Sequence, residues 1–159
     1  MPGDIRAKER AIATLTTTGA SLSTGSAGLA NATADFDARA GGNAPDDSRA
    51  QFELVCQWAT ITGIVVNTVV AELYLLPLFG GVDLPDADLT AGSSTLPLPA
   101  FAGVFRCTKA PVAATNMRLI SDTVQFNPFL CRPYLLNRSG QTMTVNWAIR
   151  VMSVQDQYT

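Results

Sequence analysis

Residues 143–151, MTVNWAIRV, alternate apolar and small or polar side chains without a break. Met143, Val145, Trp147, Ile149 and Val151 fall on one phase, and Thr144, Asn146, Ala148 and Arg150 on the other. A period of two over this length predicts a strand with one buried face. A second apolar run precedes it, and Asn137-Arg138-Ser139-Gly140 lies between the two. These residues tolerate tight or left-handed backbone, so residues 129–154 are expected to form a β-hairpin.

The same pattern recurs upstream. Phe52, Leu54, Cys56 and Trp58 alternate with Glu53, Val55, Gln57 and Ala59. Residues 64–76, IVVNTVVAELYLL, are dense in β-branched side chains and predict a long strand ended by Pro77 and Gly80-Gly81. Shorter strands are expected at 101–107, at 115–121 with Met117 and Leu119 on one face, and at 123–126. Seven or eight short strands with no long amphipathic helix predict an all-β fold, an antiparallel β-sandwich. Residues 1–50 hold few large apolar side chains and read as an N-terminal arm or irregular edge, with the sandwich domain over 51–159. Residues 77–100 carry Pro77, Pro85, Pro97, Pro99 and three aspartates, and read as a loop of functional length.

Composition narrows what such a sandwich does. Charged residues make up 15% of the chain and hydrophobic residues 47%, whereas about a quarter charged is usual. A surface so poor in charge suits a subunit covered by copies of itself or by a larger assembly. The net charge of −2 excludes a global electrostatic case for nucleic acid. Residues 51–100 contain five acids and no base, and residues 101–159 six bases and two acids. These halves are expected to pair, within one sandwich or between neighbouring subunits. Cys56, Cys107 and Cys131 lack metal or redox spacing and read as free, buried thiols of a reducing compartment. The first residues show no signal-peptide core, and no apolar run is long enough to span a membrane, so synthesis in the cytoplasm is expected.

Candidate chemistry is sparse. The chain has no histidine, which removes Ser-His and Cys-His pairs and the commonest general base. Its two lysines, Lys8 and Lys109, lie outside apolar runs. Asp83, Asp86 and Asp88 have a spacing superficially like that of a calcium loop but lack its order and its terminal Glu, and a solvated acidic loop is the expectation. Asn31-Ala32-Thr33 and Asn137-Arg138-Ser139 match the glycosylation sequon by coincidence. Trp58 and Trp147 sit on the apolar phase of their strands and are expected in the core, while Tyr74 lies in the long run. Tyr134 and Tyr158 are the freer candidates for stacking a sugar. No catalytic, cofactor-binding or metal residue is assigned, and no enzymatic activity is expected.

The order of elements is familiar. An Ala/Ser/Thr-rich start precedes ADFD at 34–37, then QFELVCQW, then AELYLLP, a Gly/Asp-rich loop and YLLNRSGQ. Over about residues 20–154 this resembles small β-sandwich virion proteins of tailed bacteriophages, of capsid cement (decoration) or fibre type. AELYLLP and LLNRSGQ carry most of the likeness. The resemblance implies a jelly-roll-like sandwich, trimeric or otherwise clustered, that binds the outer shell through the major capsid protein or another virion protein. It implies a capsid cement protein located in the virion, with no cofactor, nucleic acid or membrane. A fibre or spike component binding host carbohydrate or a receptor, through Tyr134, Tyr158 or the 77–100 loop, is the alternative.

Overall fold

A computed structural model describes residues 5–9, 12–14, 21–25, 27–29, 36–37, 47–79, 82–83, 101–125, 130–145 and 147–158. Every element in them is a strand: β1 Ile5–Glu9, β2 Ala13–Thr14, β3 Ala27–Leu29, β4 Phe36–Asp37, β5 Asp47–Cys56 and β6 Val69–Phe79. These are followed by β7 Val82–Asp83, β8 Phe101–Arg106, β9 Met117–Ile120, β10 Val124–Gln125, β11 Leu130–Asn137 and β12 Ala148–Tyr158. They form two antiparallel sheets. The first runs β1-β12-β5-β10, with β2 also on β12 and β9 also on β5. The second runs β3-β11-β6-β7, with β4 also on β11 and β8 also on β6.

The pairing is nested. The first strands of the chain, β1 and β2, pair with the last, β12. The next inward, β3 and β4, pair with β11. Then β5 pairs with β9 and β10, and innermost β6 pairs with β8. Ser121 marks the break between β9 and β10. It pairs with β5 there through its own backbone N–H, which donates to Phe52 O, and its hydroxyl, which accepts the Phe52 N–H at 3.1 Å.

Alternation explains the core. Phe52, Leu54, Cys56 and Trp58 are all buried, as are Met117 and Leu119 of β9 and Leu73 and Leu75 of β6. They meet Phe105, Leu135, Trp147, Ile149 and Val151 in one cluster between the sheets. The two indoles differ. Trp58 Nε1 donates to Ser139 Oγ at 3.0 Å, whereas buried Trp147 Nε1 has no partner among the described residues. Trp58→Phe is therefore expected to lower the urea unfolding free energy by about 1 kcal/mol more than Trp147→Phe, because only the former breaks a hydrogen bond. Equal losses would show that the Ser139 bond contributes nothing.

Three strand expectations change: those for 129–154, for 64–76 and for the strand from Gln51. The expected hairpin over 129–154 does not form, since β11 and β12 lie in different sheets. At the end of β11 the buried Asn137 side chain holds the chain in a loop, which then carries Met143 between Leu22 and Trp58 as an isolated bridge. Val145, on the predicted buried phase, turns out to solvent, while Ala148 on the opposite phase is buried. The long strand begins at Val69, not at Ile64, because Asn67 takes a left-handed φ of 69° and Thr68 Oγ1 closes a turn onto Val65 O. It also runs through Pro77, opposite Cys131, to Phe79. The strand read from Gln51 starts at Asp47. In residues 1–50, four short strands pair with β11 and β12.

Candidate interaction surfaces

Four connections meet at one end of the two sheets: β2–β3, β5–β6, β8–β9 and β11–β12. Each passes from one sheet to the other. Backbone hydrogen bonds tie them together. Asn67 N donates to Cys107 O at 2.7 Å, Ala114 N to Trp58 O at 2.8 Å and Thr144 N to Gln57 O at 2.8 Å. Gln141 Nε2 donates to Thr62 O, and Gly140 N to Thr24 Oγ1.

Beneath the loops lies a buried polar knot. Asn137 Nδ2 donates to Leu22 O and to Gln141 O, both at 2.8 Å. Asn137 Oδ1 accepts from Ser139 N at 3.0 Å and from Ser139 Oγ at 2.7 Å. One side chain thus joins three loops, directly or through Ser139 and Trp58. Asn137 is fully buried, so the Asn-x-Ser match is an Asx turn with a structural role.

What this braced end presents to solvent is nearly uncharged, with valines standing among exposed Thr, Ser, Asn and Ala side chains. Val65 is 57% exposed, Val112 61% and Val145 45%, from three different loops, and Val66 stands beside the first. Segments 21–25, 57–68, 107–116 and 138–147 contain just two charges, Lys109 and Arg138. Arg138 is engaged by Glu72 at 3.1 Å, which also raises its pKa. These four exposed valines lie on loops that carry two charges in all.

The outer face of the first sheet is different. Register places Arg150 opposite Glu53 on β5, and Ile120 opposite Glu53 on its other side. Glu53 accepts from Arg118 Nε and from Arg150 Nη1. The Arg118 hydrogen bond holds the Glu53 carboxyl below its usual value, against a partial rise from burial, with the Arg118 and Arg150 charges adding to the lowering. A carboxylate stabilised in this way supports the fold above pH 4.5, its value in the unfolded chain. That support is lost as pH falls through the lower folded value. The stability gap between the native chain and Glu53→Gln should therefore stay level from neutral pH to about 5 and close below it. A gap still unchanged at about pH 3 would exclude the ion-pair account.

An open groove of about 180 Å³ lies over these charges, lined also by Ile12, Ile120, Val151 and Met152. On the second sheet Tyr74 donates to Glu72 at 3.0 Å and stacks edge-on against Phe101 at 5.6 Å. All three described ion pairs, Glu53–Arg118, Glu53–Arg150 and Glu72–Arg138, join an acid of 51–100 to a base of 101–159. The charge asymmetry of the two halves is thus used inside one sandwich.

The remaining residues singled out from the sequence fall as follows. Tyr134 is 5% exposed and offers no stacking face, which corrects the expectation of a free ring. It stands opposite Tyr74, on the sheet face away from the inter-sheet core, and is buried there. Cys56 and Cys107 are free and buried, and burial pushes the Cys56 thiol up to about 12, so it stays protonated at neutral pH. Asp83 lies in β7. Asp86, Asp88 and the side chains of Lys8, Cys131 and Tyr158 lie outside the described residues, as does Asn31-Ala32-Thr33. No group of three His, Cys, Asp or Glu side chains converges among the described residues. The loop end itself was missed, although the near absence of charge in 57–68 and 107–116 was its signal.

No family model matches the chain, and comparison with curated proteins and with solved structures finds no match.

Proposed function

We propose that this chain is a structural protein of a virus particle, a capsid protein that works by packing against its neighbours. The observation that carries the reading is the braced, nearly uncharged loop end: Val65, Val66, Val112 and Val145 exposed on loops with two charges among them. A free monomer gains nothing from such a patch, whereas a subunit of an assembly buries it.

The strand order supports the finer description of the sandwich as a jelly roll. A jelly roll is one long folded-over ribbon of eight strand positions rolled up, so that first pairs with last and each pair inward follows. The pairs β1/β2 with β12, β3/β4 with β11, β5 with β9/β10 and β6 with β8 have that order. Viral capsid domains, lectins and cupins share this architecture, so the surface has to choose among them. The buried ring of Tyr134 takes away the sugar-stacking candidate with the clearest position. A cement protein on the outer shell and a wall subunit of the shell both fit the surface, and the strand order favours the second as well as the first.

The test is the assembly state of the purified full chain, by light scattering after size exclusion and by electron microscopy. Trimers or larger closed assemblies are expected at micromolar concentration. Closed particles formed by the chain alone would mark it as a wall subunit, and small oligomers that add to shells as cement. A chain still monomeric at about 100 μM, which sets any association weaker than about −5.5 kcal/mol, overturns the proposal.

A further inference from the structure

The groove on the outer face of the first sheet is neither core nor part of the loop end. Two guanidinium groups, Arg118 and Arg150, share the single carboxylate of Glu53 there. Arg118 uses Nε and Arg150 uses Nη1 for that bond, and among the described residues the far side of each fork stays open to another carboxylate. The Arg118 side chain is 63% exposed. Ile12 and Ile120 line the same groove from its two sides, 61% and 58% exposed. The site therefore carries a net positive charge set among aliphatic side chains. At about 180 Å³ it has room for one aliphatic side chain, since an apolar cavity of about 150 Å³ holds a benzene-sized group.

The complement is in the chain itself. Residues 82–89, VDLPDADL, interleave Asp83, Asp86 and Asp88 with Val82, Leu84 and Leu89, and contain no base. No other stretch of eight residues in the sequence pairs three acids with three large aliphatic side chains. We infer that this groove receives the acidic, leucine-bearing segment 82–89 of a second copy of the chain, an aspartate meeting the Arg118 and Arg150 forks and a leucine entering between Ile12 and Ile120. This rests on the self-assembling reading above and names one of its contacts. Charge pairing of this kind sets which surface meets which, where apolar patches alone are indifferent to register.

The experiment is a charge swap in the full-length chain, read by sedimentation across a concentration series. Arg118→Glu and the double variant Asp86→Arg/Asp88→Arg are each expected to weaken self-association at least about tenfold. Mixed in equal amounts they should associate again, because the mixture restores one native groove facing one native segment. Ile120→Thr, which keeps a β-branched side chain in β9 and puts no like charge opposite Glu53, should weaken association without lowering the urea midpoint. A synthetic peptide of residues 82–89 should compete for the native chain. Self-association unchanged in Arg118→Glu and Ile120→Thr, or no recovery on mixing, overturns this inference and leaves the virion reading standing. A native chain that never associates removes both.

Discussion

Asn137→Ala is expected to cost the sandwich about 3 kcal/mol, a fall of about 10 °C in melting temperature for a chain of this size. The side chain makes four hydrogen bonds in a buried site. Not all of its partners are stranded by the change. Leu22 O still accepts from Met143 N, and Ser139 Oγ can turn its proton to Gln141 O at 2.8 Å. Ser139 N loses its acceptor, and an amide-sized void opens where the β11–β12 loop crosses. One orphaned donor at about 1–3 kcal/mol and the lost net bonds set the size of the effect. Asn137→Asp separates packing from polarity. It keeps the shape but turns a carboxylate oxygen toward the carbonyls of Leu22 and Gln141. It should be the worse variant at neutral pH and should recover partly in acid. Urea unfolding of both variants at two pH values decides this. A loss below about 0.5 kcal/mol for Asn137→Ala would mean that the knot is ornamental.

The second large effect leaves the fold alone. Val65→Asp, Val112→Asp and Val145→Asp each put a carboxylate on an exposed position of a different loop. Substitutions at exposed sites shift stability by about 0.5 kcal/mol or less, so the unfolding midpoint should not move. Assembly should. An unpaired charge trapped in an apolar contact costs several kcal/mol, and the triple variant is expected to raise the assembling concentration more than a hundredfold. Light scattering against concentration measures it. If the triple variant assembles at the concentration of the native chain, the loop end is not the assembling surface.

Much of the core was legible from alternation, because a strand with one face inward writes its burial directly into the sequence. Phe52 to Trp58 is the clearest case. The same signal failed at residues 129–154 for a physical reason. Period two reports that side chains alternate, and says nothing of which strand lies alongside. A turn-like sequence between two apolar runs suggests a hairpin, whereas Asn137 directs its polarity inward and sends the chain across to the other sheet. Val65 and Val66 misled in a related way. β-Branched side chains favour a packed, pleated surface, and such a surface can also be supplied by another molecule. Tyr134 was misplaced because burial on the outer face of a sheet leaves no mark in the alternation. The two Arg–Glu contacts on the first sheet were foreshadowed by the lopsided charge of the two halves, though their residues needed the register of β5, β9 and β12.

The nested pairing has a consequence in time. Because β12 lies between β5 and the N-terminal β1 and β2, the first sheet lacks an interior strand until the final residues exist. Synthesis at about 5–20 residues per second makes 159 residues in roughly ten to thirty seconds. Through that interval the earliest strands wait for the last one, and pairing across nearly the whole chain is intrinsically slow. The groove on β5, β9 and β12 therefore cannot form before β12 has left the ribosome. Until then a nascent chain offers no such face to finished copies around it.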